Sequence, residues 1–257
     1  MVIAVNIGNT HITFGLVDGK TVNDTVMSLK TDSKKTCFEY AFEIKQILDL
    51  CSFDIINIEG AIISSVVPPM TRILKDALKM LTKREVLVVG AGVKSGIHIY
   101  TDDPGSVAGD LVAMAVGAKE EYDLPCVIVD MGTAATFTVV DEEGRFVGGA
   151  FMPGVNISLD ALSDGASLLP KIDVTSPKKA IASSTVDCMR SGIVYGYAGA
   201  VDGIIDRFAS ELGREPATIV TTGSMAELIC SYSKRKTVTD EHLLLKGLGV
   251  IYDKNKK

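Results

Sequence analysis

Two short strings carry residue types that can hold phosphates. Asn6-Ile7-Gly8-Asn9-Thr10 closes an apolar run near the start of the chain, and Asp130-Met131-Gly132-Thr133 closes another near its middle. A strand that ends in a short glycine turn exposes backbone N–H groups, and neighbouring hydroxyls add donors, so either turn can cradle phosphate oxygens. Taken alone, either is better explained as a plain hairpin turn; two copies facing one cleft, with a turn at Thr222-Gly223, favour phosphate binding. Thr221-Thr222-Gly223-Ser224 is a third such turn, after the apolar run 217–220 and before a helix predicted from about 225. The chain has no G-x-x-x-x-G-K-[ST] string, so P-loop chemistry is excluded.

Phosphoryl transfer also needs a group to take the proton of the acceptor hydroxyl. Asp110 suits that role. It lies in the first turn of a small-residue helix predicted over 107–120, with Gly105, Ala108 and Gly109 before it to let a substrate approach. A helix N-terminus favours the ionised carboxylate, so the same residue reads equally as a stabiliser of its own helix. Asp130 reads as a cation ligand rather than a buried hydrogen-bonding acid, because a carboxylate beside a phosphate turn needs positive charge nearby. His11, His98 and His242 are isolated in sequence and read as surface or packed imidazoles; no Ser-His-Asp arrangement is visible.

The elements that must position these residues fall into two similar series. Val5, Asn6 and Gly8 match Val129, Asp130 and Gly132 at an offset of 124 residues, and each string is followed by a second strand and a turn. Each copy continues through alternating helices and strands, which predicts an α/β fold of two duplicated domains, 1–118 and 119–257, with a cleft between them. In the first half a helix is predicted over 37–50 with its aromatics Phe38 and Phe42 in the core, then a strand over 61–67, a helix opened by Pro68-Pro69, and a strand over 85–89. In the second half, Gly148-Gly149 and Pro153-Gly154 punctuate the chain before a short helix around 156–163. The helical stretch 187–212 contains Gly192, Gly196, Gly199 and Gly203, for which tight helix packing is the expected reason.

Composition limits the function classes. At 257 residues and 27.3 kDa, with 47% hydrophobic and 23% charged residues, the chain can bury a sizeable core without staples. A net charge of −6 argues against a nucleic-acid surface. The five dispersed cysteines indicate neither a zinc site nor a disulfide framework, and no apolar run approaches a membrane span, so a cytoplasmic protein is expected. The tail Lys254-Asn255-Lys256-Lys257 reads as a solvated end.

The ordered set of motifs resembles the type III pantothenate kinases, members of the acetate and sugar kinase/heat-shock cognate/actin superfamily. It comprises Gly8-Asn9-Thr10, Ile63-Ser64-Ser65-Val66-Val67-Pro68, Tyr100 with Pro104 and Val107 ahead of Asp110, Asp130-x-Gly132-Thr133, Gly148-Gly149-Ala150, Pro153-Gly154, Leu159-Asp160-Ala161-Leu162, and Ser191-Gly192-x-x-x-Gly196 with Val201-Asp202-Gly203. The resemblance implies duplicated ribonuclease H-like, actin-like ATPase domains with ATP in the cleft. The implied reaction is ATP-dependent phosphorylation of pantothenate on its primary hydroxyl, the first step of coenzyme A synthesis. Asp110 would be the base. Asn6, Ile7, Gly8, Asn9, Thr10, His11, Ile12, Thr13, Thr133 and Gly223 would contact ATP, accompanied by Mg²⁺. Asp130 would hold a monovalent cation, K⁺ or NH₄⁺. Tyr100, Ala108, Gly109, Asp110, Leu111 and Thr185 would line the pantothenate site, in a homodimer.

Two residues depart from the family pattern, which has Asp in place of Asn6 and Arg in place of Leu111. Asn keeps an acceptor oxygen but removes a charge that helps organise Mg²⁺, and Leu removes a fork of donors suited to an anion. Three readings follow: a pantothenate kinase with compensating contacts, ranked first because Asp110, Asp130 and Thr133 are all present; a kinase for another small alcohol; and a catalytically weakened, ATP-binding regulatory relative.

Overall fold

The computed structural model describes residues 1–23 and 25–256, so Lys257 of the tail lies outside the described residues. The chain divides into two units, Met1–Glu121 with His242–Lys257, and Tyr122–Glu241.

The first unit opens with β1 (Val2–Ile7), β2 (His11–Asp18), β3 (Thr21–Val22) and β4 (Met27–Lys30), then α1 (Cys37–Leu50), β5 (Ala61–Ser65), α2 (Pro68–Thr82), β6 (Val86–Val88), the two-residue β7 (His98–Ile99) and α3 (Gly109–Glu121). Its sheet runs β3-β2-β1-β5-β6, with β4 also on β2. β1 is antiparallel to β2, with Asn6 opposite Thr13, and parallel to β5, with Asn6 beside Ser64. The strand period of two sends Ile3, Val5 and Ile7 into a core shared with Tyr40, Ile44 and Leu48 of α1 and Met70 and Leu74 of α2. Ala4 and Asn6 therefore point to the other face.

A capping box starts α1: Thr36 accepts from the N–H of Glu39, whose side chain bonds back to the Thr36 N–H. The helix buries Tyr40, Ala41, Ile44 and Leu48. Phe38 and Phe42 are 67% and 62% exposed, contrary to the expectation from sequence, because they flank this narrow stripe rather than belong to it.

The face of the first sheet opposite α1 and α2 meets α3 and the last helix, α7 (Leu243–Asn255), which sequence reading did not anticipate. α3 and α7 touch backbone to backbone. A Cβ on Gly117 would come 2.5 Å from the carbonyl oxygen of Leu243, and one on Gly247 would overlap that of Ala113. The C-terminal helix thus packs with the first series of elements, whereas the domain boundaries expected from sequence group it with 119–257.

The second unit repeats the first plan with β8 (Cys126–Met131), β9 (Ala134–Val140), β10 (Arg145–Pro153), α4 (Val155–Gly165), α5 (Thr185–Leu212), β11 (Thr218–Thr222), α6 (Ala226–Cys230) and β12 (Val238–Thr239). Its strands run β12-β11-β8-β9-β10. Asp130 lies opposite Thr136 and beside Thr222, the register that Asn6 has with Thr13 and Ser64. Fully buried Phe14 and Phe137 lie opposite Val5 and Val129. The second turn is one residue shorter, since β1 and β2 close on Ile7 and Ile12, and β8 and β9 on Met131 and Ala135.

Gly148 and Gly149, expected as punctuation, lie within β10. The glycines of α5 are also placed differently from expectation: among the described residues, a Cβ on Gly192, Gly196 or Gly199 would meet no atom within 4 Å outside its own helix turn. The backbone contacts expected there occur instead between α3 and α7. All five cysteines are free, and burial pushes the Cys126 thiol up to about 12. Among the described residues, no helix is long and apolar enough to cross a membrane.

Candidate active site

In the first unit the polar residues gather where β1 and β5 end. The Asn6 Oδ1 and Ser64 Oγ atoms are buried, and neither has a hydrogen-bond partner among the described residues. Their strands place them side by side on the face opposite the core. Gly109, the first residue of α3, packs onto the same spot: a Cβ there would lie 3.4 Å from Ser64 Oγ. Two oxygens left unsatisfied in this way are costly, about 1–3 kcal/mol each. Sequence reading quoted Ser64 only as part of a motif; a serine pair ending an otherwise apolar buried strand was the available signal.

Gly109 brings Asp110 to this end of the sheet. Burial pushes the Asp110 carboxyl above its ordinary range, while hydrogen bonds from the N–H of Leu111 and from its own N–H act the other way. The Leu111 N–H donates to Asp110 Oδ1 at 2.8 Å. A carboxylate that burial makes more basic, yet that the helix start still holds in place, suits proton abstraction. The Leu111 side chain is 7% exposed and belongs to the interior of α3. Ala108 and Gly109 are half-buried, and Tyr100 is 64% exposed.

Gly8 begins the first turn. Its N–H donates to His11 O at 2.9 Å, and its carbonyl accepts from Thr31 Oγ1 at 2.7 Å. Asn9, Thr10 and His11 are exposed, Ile12 is buried in the core and Thr13 is half-buried on β2. The outward donors of this turn are therefore those of residues 9–11, and Ile7 and Ile12 serve the core beneath.

In the second unit, Asp130 sits between two glycine turns. A Cβ on Gly132 would lie 3.4 Å from Asp130 Oδ1, and one on Gly223 would collide with that oxygen and lie 2.7 Å from the Met131 carbonyl carbon. Gly223 also has φ +91°, so both its conformation and its surroundings require glycine. Thr133 is exposed, and its carbonyl accepts from the Gly154 N–H at 3.1 Å. Thr185 lies elsewhere in this unit, at the start of α5. It borders a cavity of about 600 Å³ lined also by Leu162, Leu169, Ser184, Cys188 and Met189.

A hard divalent ion fits these residue types. Mg²⁺ keeps several waters and is commonly held by one or two carboxylates together with phosphates rather than by a protein cage. The unsatisfied Asn6 and Ser64 oxygens are the kind of group that a metal-bound water satisfies. Among the described residues no group of three or more His, Cys, Asp or Glu is placed to hold a metal.

The fold is shared with solved structures. The (R)-2-hydroxyglutaryl-CoA dehydratase component A of Acidaminococcus fermentans aligns with a TM-score of 0.57 at 12% identity, covering 99% of each chain. A ROK hexokinase from Thermus thermophilus aligns with a TM-score of 0.51 at 14% identity, again covering 99% of each chain. The fold is thus that of the actin-like ATPase and sugar kinase class, built from two ribonuclease H-like domains.

Within that class the sequence is more particular. A family model described as type III pantothenate kinase matches residues 2–207. Proteins named type III pantothenate kinase from an Exiguobacterium species and from Geotalea daltonii are 37% and 38% identical, each over the full length of both chains. The chain belongs to the type III pantothenate kinase family.

Proposed function

We propose that this chain transfers the γ-phosphoryl group of ATP to the primary hydroxyl of pantothenate, the first step of coenzyme A synthesis. The observation that carries the reading is the Asp110 carboxyl, half-buried at the head of α3 and raised in pKa by desolvation, in a member of this family. Asp110 takes the hydroxyl proton as the oxygen bonds to the γ-phosphorus and the bond to the departing ADP oxygen breaks. Backbone and hydroxyl donors of Asn9, Thr10 and Thr133 bind phosphate oxygens, and Gly223 admits the nucleotide where a side chain would not fit. Asn6 and Ser64 would hold Mg²⁺ through water, and the ion would supply charge neutralisation on the phosphates.

Asp130 binds a monovalent cation, K⁺ or NH₄⁺. Tyr100, Ala108, Gly109 and Thr185 border the pantothenate site, and Leu111 shapes it from within α3. On the family resemblance we also read the protein as a cytoplasmic homodimer, which light scattering tests.

The neutral Asn6 and the apolar Leu111 favour a second reading, a kinase for a less anionic alcohol or a weakened ATP-binding relative. The test is mass spectrometry of phosphopantothenate formed by the purified protein with ATP, Mg²⁺, K⁺ and pantothenate, beside Asp110→Asn. Product from the parent alone supports the first reading. ATP binding by a parent that makes no product moves the assignment to the second.

A further inference from the structure

Each glycine turn is gripped by a neighbouring segment, and each of those segments is tied to a buried tyrosine hydroxyl. In the first unit the gripping residue is Thr31, just beyond the end of β4. Its hydroxyl donates to Gly8 O at 2.7 Å, and its N–H donates to Thr10 O at 3.0 Å. The next residue is fastened to α1. Its N–H donates to Tyr40 Oη at 2.8 Å, and Tyr40 Oη donates to Asp32 O at 2.9 Å. Tyr40 itself is fully buried.

The second unit reaches the same result with different parts. Gly154 donates its N–H to Thr133 O at 3.1 Å, and a Cβ on Gly154 would come 2.5 Å from Gly132 O. The preceding residue is fastened to α5: Tyr197 Oη donates to Pro153 O at 2.7 Å and lies 2.6 Å from Ser158 Oγ. With its one proton used on Pro153, the tyrosine accepts from the serine. Tyr197 is 6% exposed.

A phenylalanine would fill nearly the same volume at either position, so packing alone does not call for the hydroxyls. Both hydroxyls end on backbone one residue away from a group that bonds directly to a turn, and the turn residues Asn9, Thr10 and Thr133 are themselves exposed. We propose that Tyr40 and Tyr197 are positioning residues, each fixing one phosphate-binding turn through the adjacent segment. The proposal rests on the nucleotide-binding reading of those turns. Donors that bind phosphate must be held to fractions of an ångström by the residues behind them.

The experiment measures ATP binding by calorimetry, without pantothenate, for the parent, Tyr40→Phe, Tyr197→Phe and Ser158→Ala, alongside thermal melting and the KM for each substrate. Each tyrosine variant is expected to bind ATP about fivefold to tenfold more weakly, equivalent to about 1–1.4 kcal/mol, with the KM for pantothenate within twofold of the parent. Ser158→Ala keeps the tyrosine bond to Pro153 and should stay within twofold for both substrates. A purely structural hydroxyl would lower the melting temperature and leave ATP affinity of the folded protein unchanged. That result for either variant removes its tyrosine from the proposal. A parent that binds no ATP would instead overturn the nucleotide-binding reading itself.

Discussion

Replacing Asn6 with Asp restores the acid usual in the family, and its effect on stability follows from the burial of the site. The Asn6 Oδ1 atom is buried without a hydrogen-bond partner, and its neighbour in register, Ser64 Oγ, is in the same condition. A carboxylate at position 6 must place a charge where the neutral amide oxygen already finds no donor, the adjacent Ser64 hydroxyl included. The cost of an unsatisfied buried group is about 1–3 kcal/mol, and more for a charge. At about 2–4 °C per kcal/mol for a chain of this size, a cost in that range lowers the melting temperature by roughly 2–12 °C.

The loss should depend on both pH and metal. Burial raises the pKa of the new carboxyl in the folded state, so the penalty is absent below about pH 4, where the unfolded chain is also protonated, and complete above the raised folded value. A cation that pairs with the carboxylate reverses the penalty; at a hundred times its Kd a ligand of the folded state stabilises it by about 2.7 kcal/mol. The assay is thermal melting of parent and Asn6→Asp at pH 7.5 over a Mg²⁺ titration. The variant is expected to melt lower without Mg²⁺ and to recover more than the parent as Mg²⁺ rises. Equal melting temperatures and equal Mg²⁺ responses would refute the assignment of Asn6 and Ser64 to a buried ion-facing niche.

Asp110→Asn should abolish turnover yet stabilise the fold at pH 7, because burial holds the folded carboxyl above its unfolded pKa and so penalises the charged form. The gain, read by denaturant titration, should vanish below about pH 4. For the same reason the acidic limb of kcat/KM in the parent should lie above the ordinary carboxylate range, as a pH-rate profile would show. Gly223→Ala puts a Cβ into the Asp130 carboxylate at a φ of +91°, so it should weaken ATP binding by at least tenfold and lower stability by about 1–3 kcal/mol, measured by calorimetry and melting.

The sequence revealed the duplication because strand endings are local. Val5, Asn6 and Gly8 against Val129, Asp130 and Gly132 marked both hairpins, and the register confirms the equivalence down to the hydroxyl beside each Asx residue. The apolar periodicity of 37–50 and the Pro68-Pro69 start made α1 and α2 equally legible. What escaped sequence reading depends on contacts between distant segments. Phe38 and Phe42 have the right residue type for a core, but exposure is decided by which stripe of α1 meets the sheet. The α5 glycines have the composition of a packed helix without the neighbour, whereas the real backbone contact pairs Gly117 and Gly247 across 130 residues of chain. Ser64 was hidden for a related reason: only the register places its hydroxyl beside Asn6.

The return of α7 to the first unit has a bearing on how the protein is made. The helix that Gly117 and Gly247 allow against α3 leaves the ribosome only after every residue of the second unit. During synthesis the first sheet therefore waits with the face around Ala4 and Ile62 lacking α7, while the contiguous second unit can complete its own sheet. Because domains generally fold as units during translation, the later-encoded half is expected to mature first, and a chain cut before α7 would leave the earlier-encoded half unfinished.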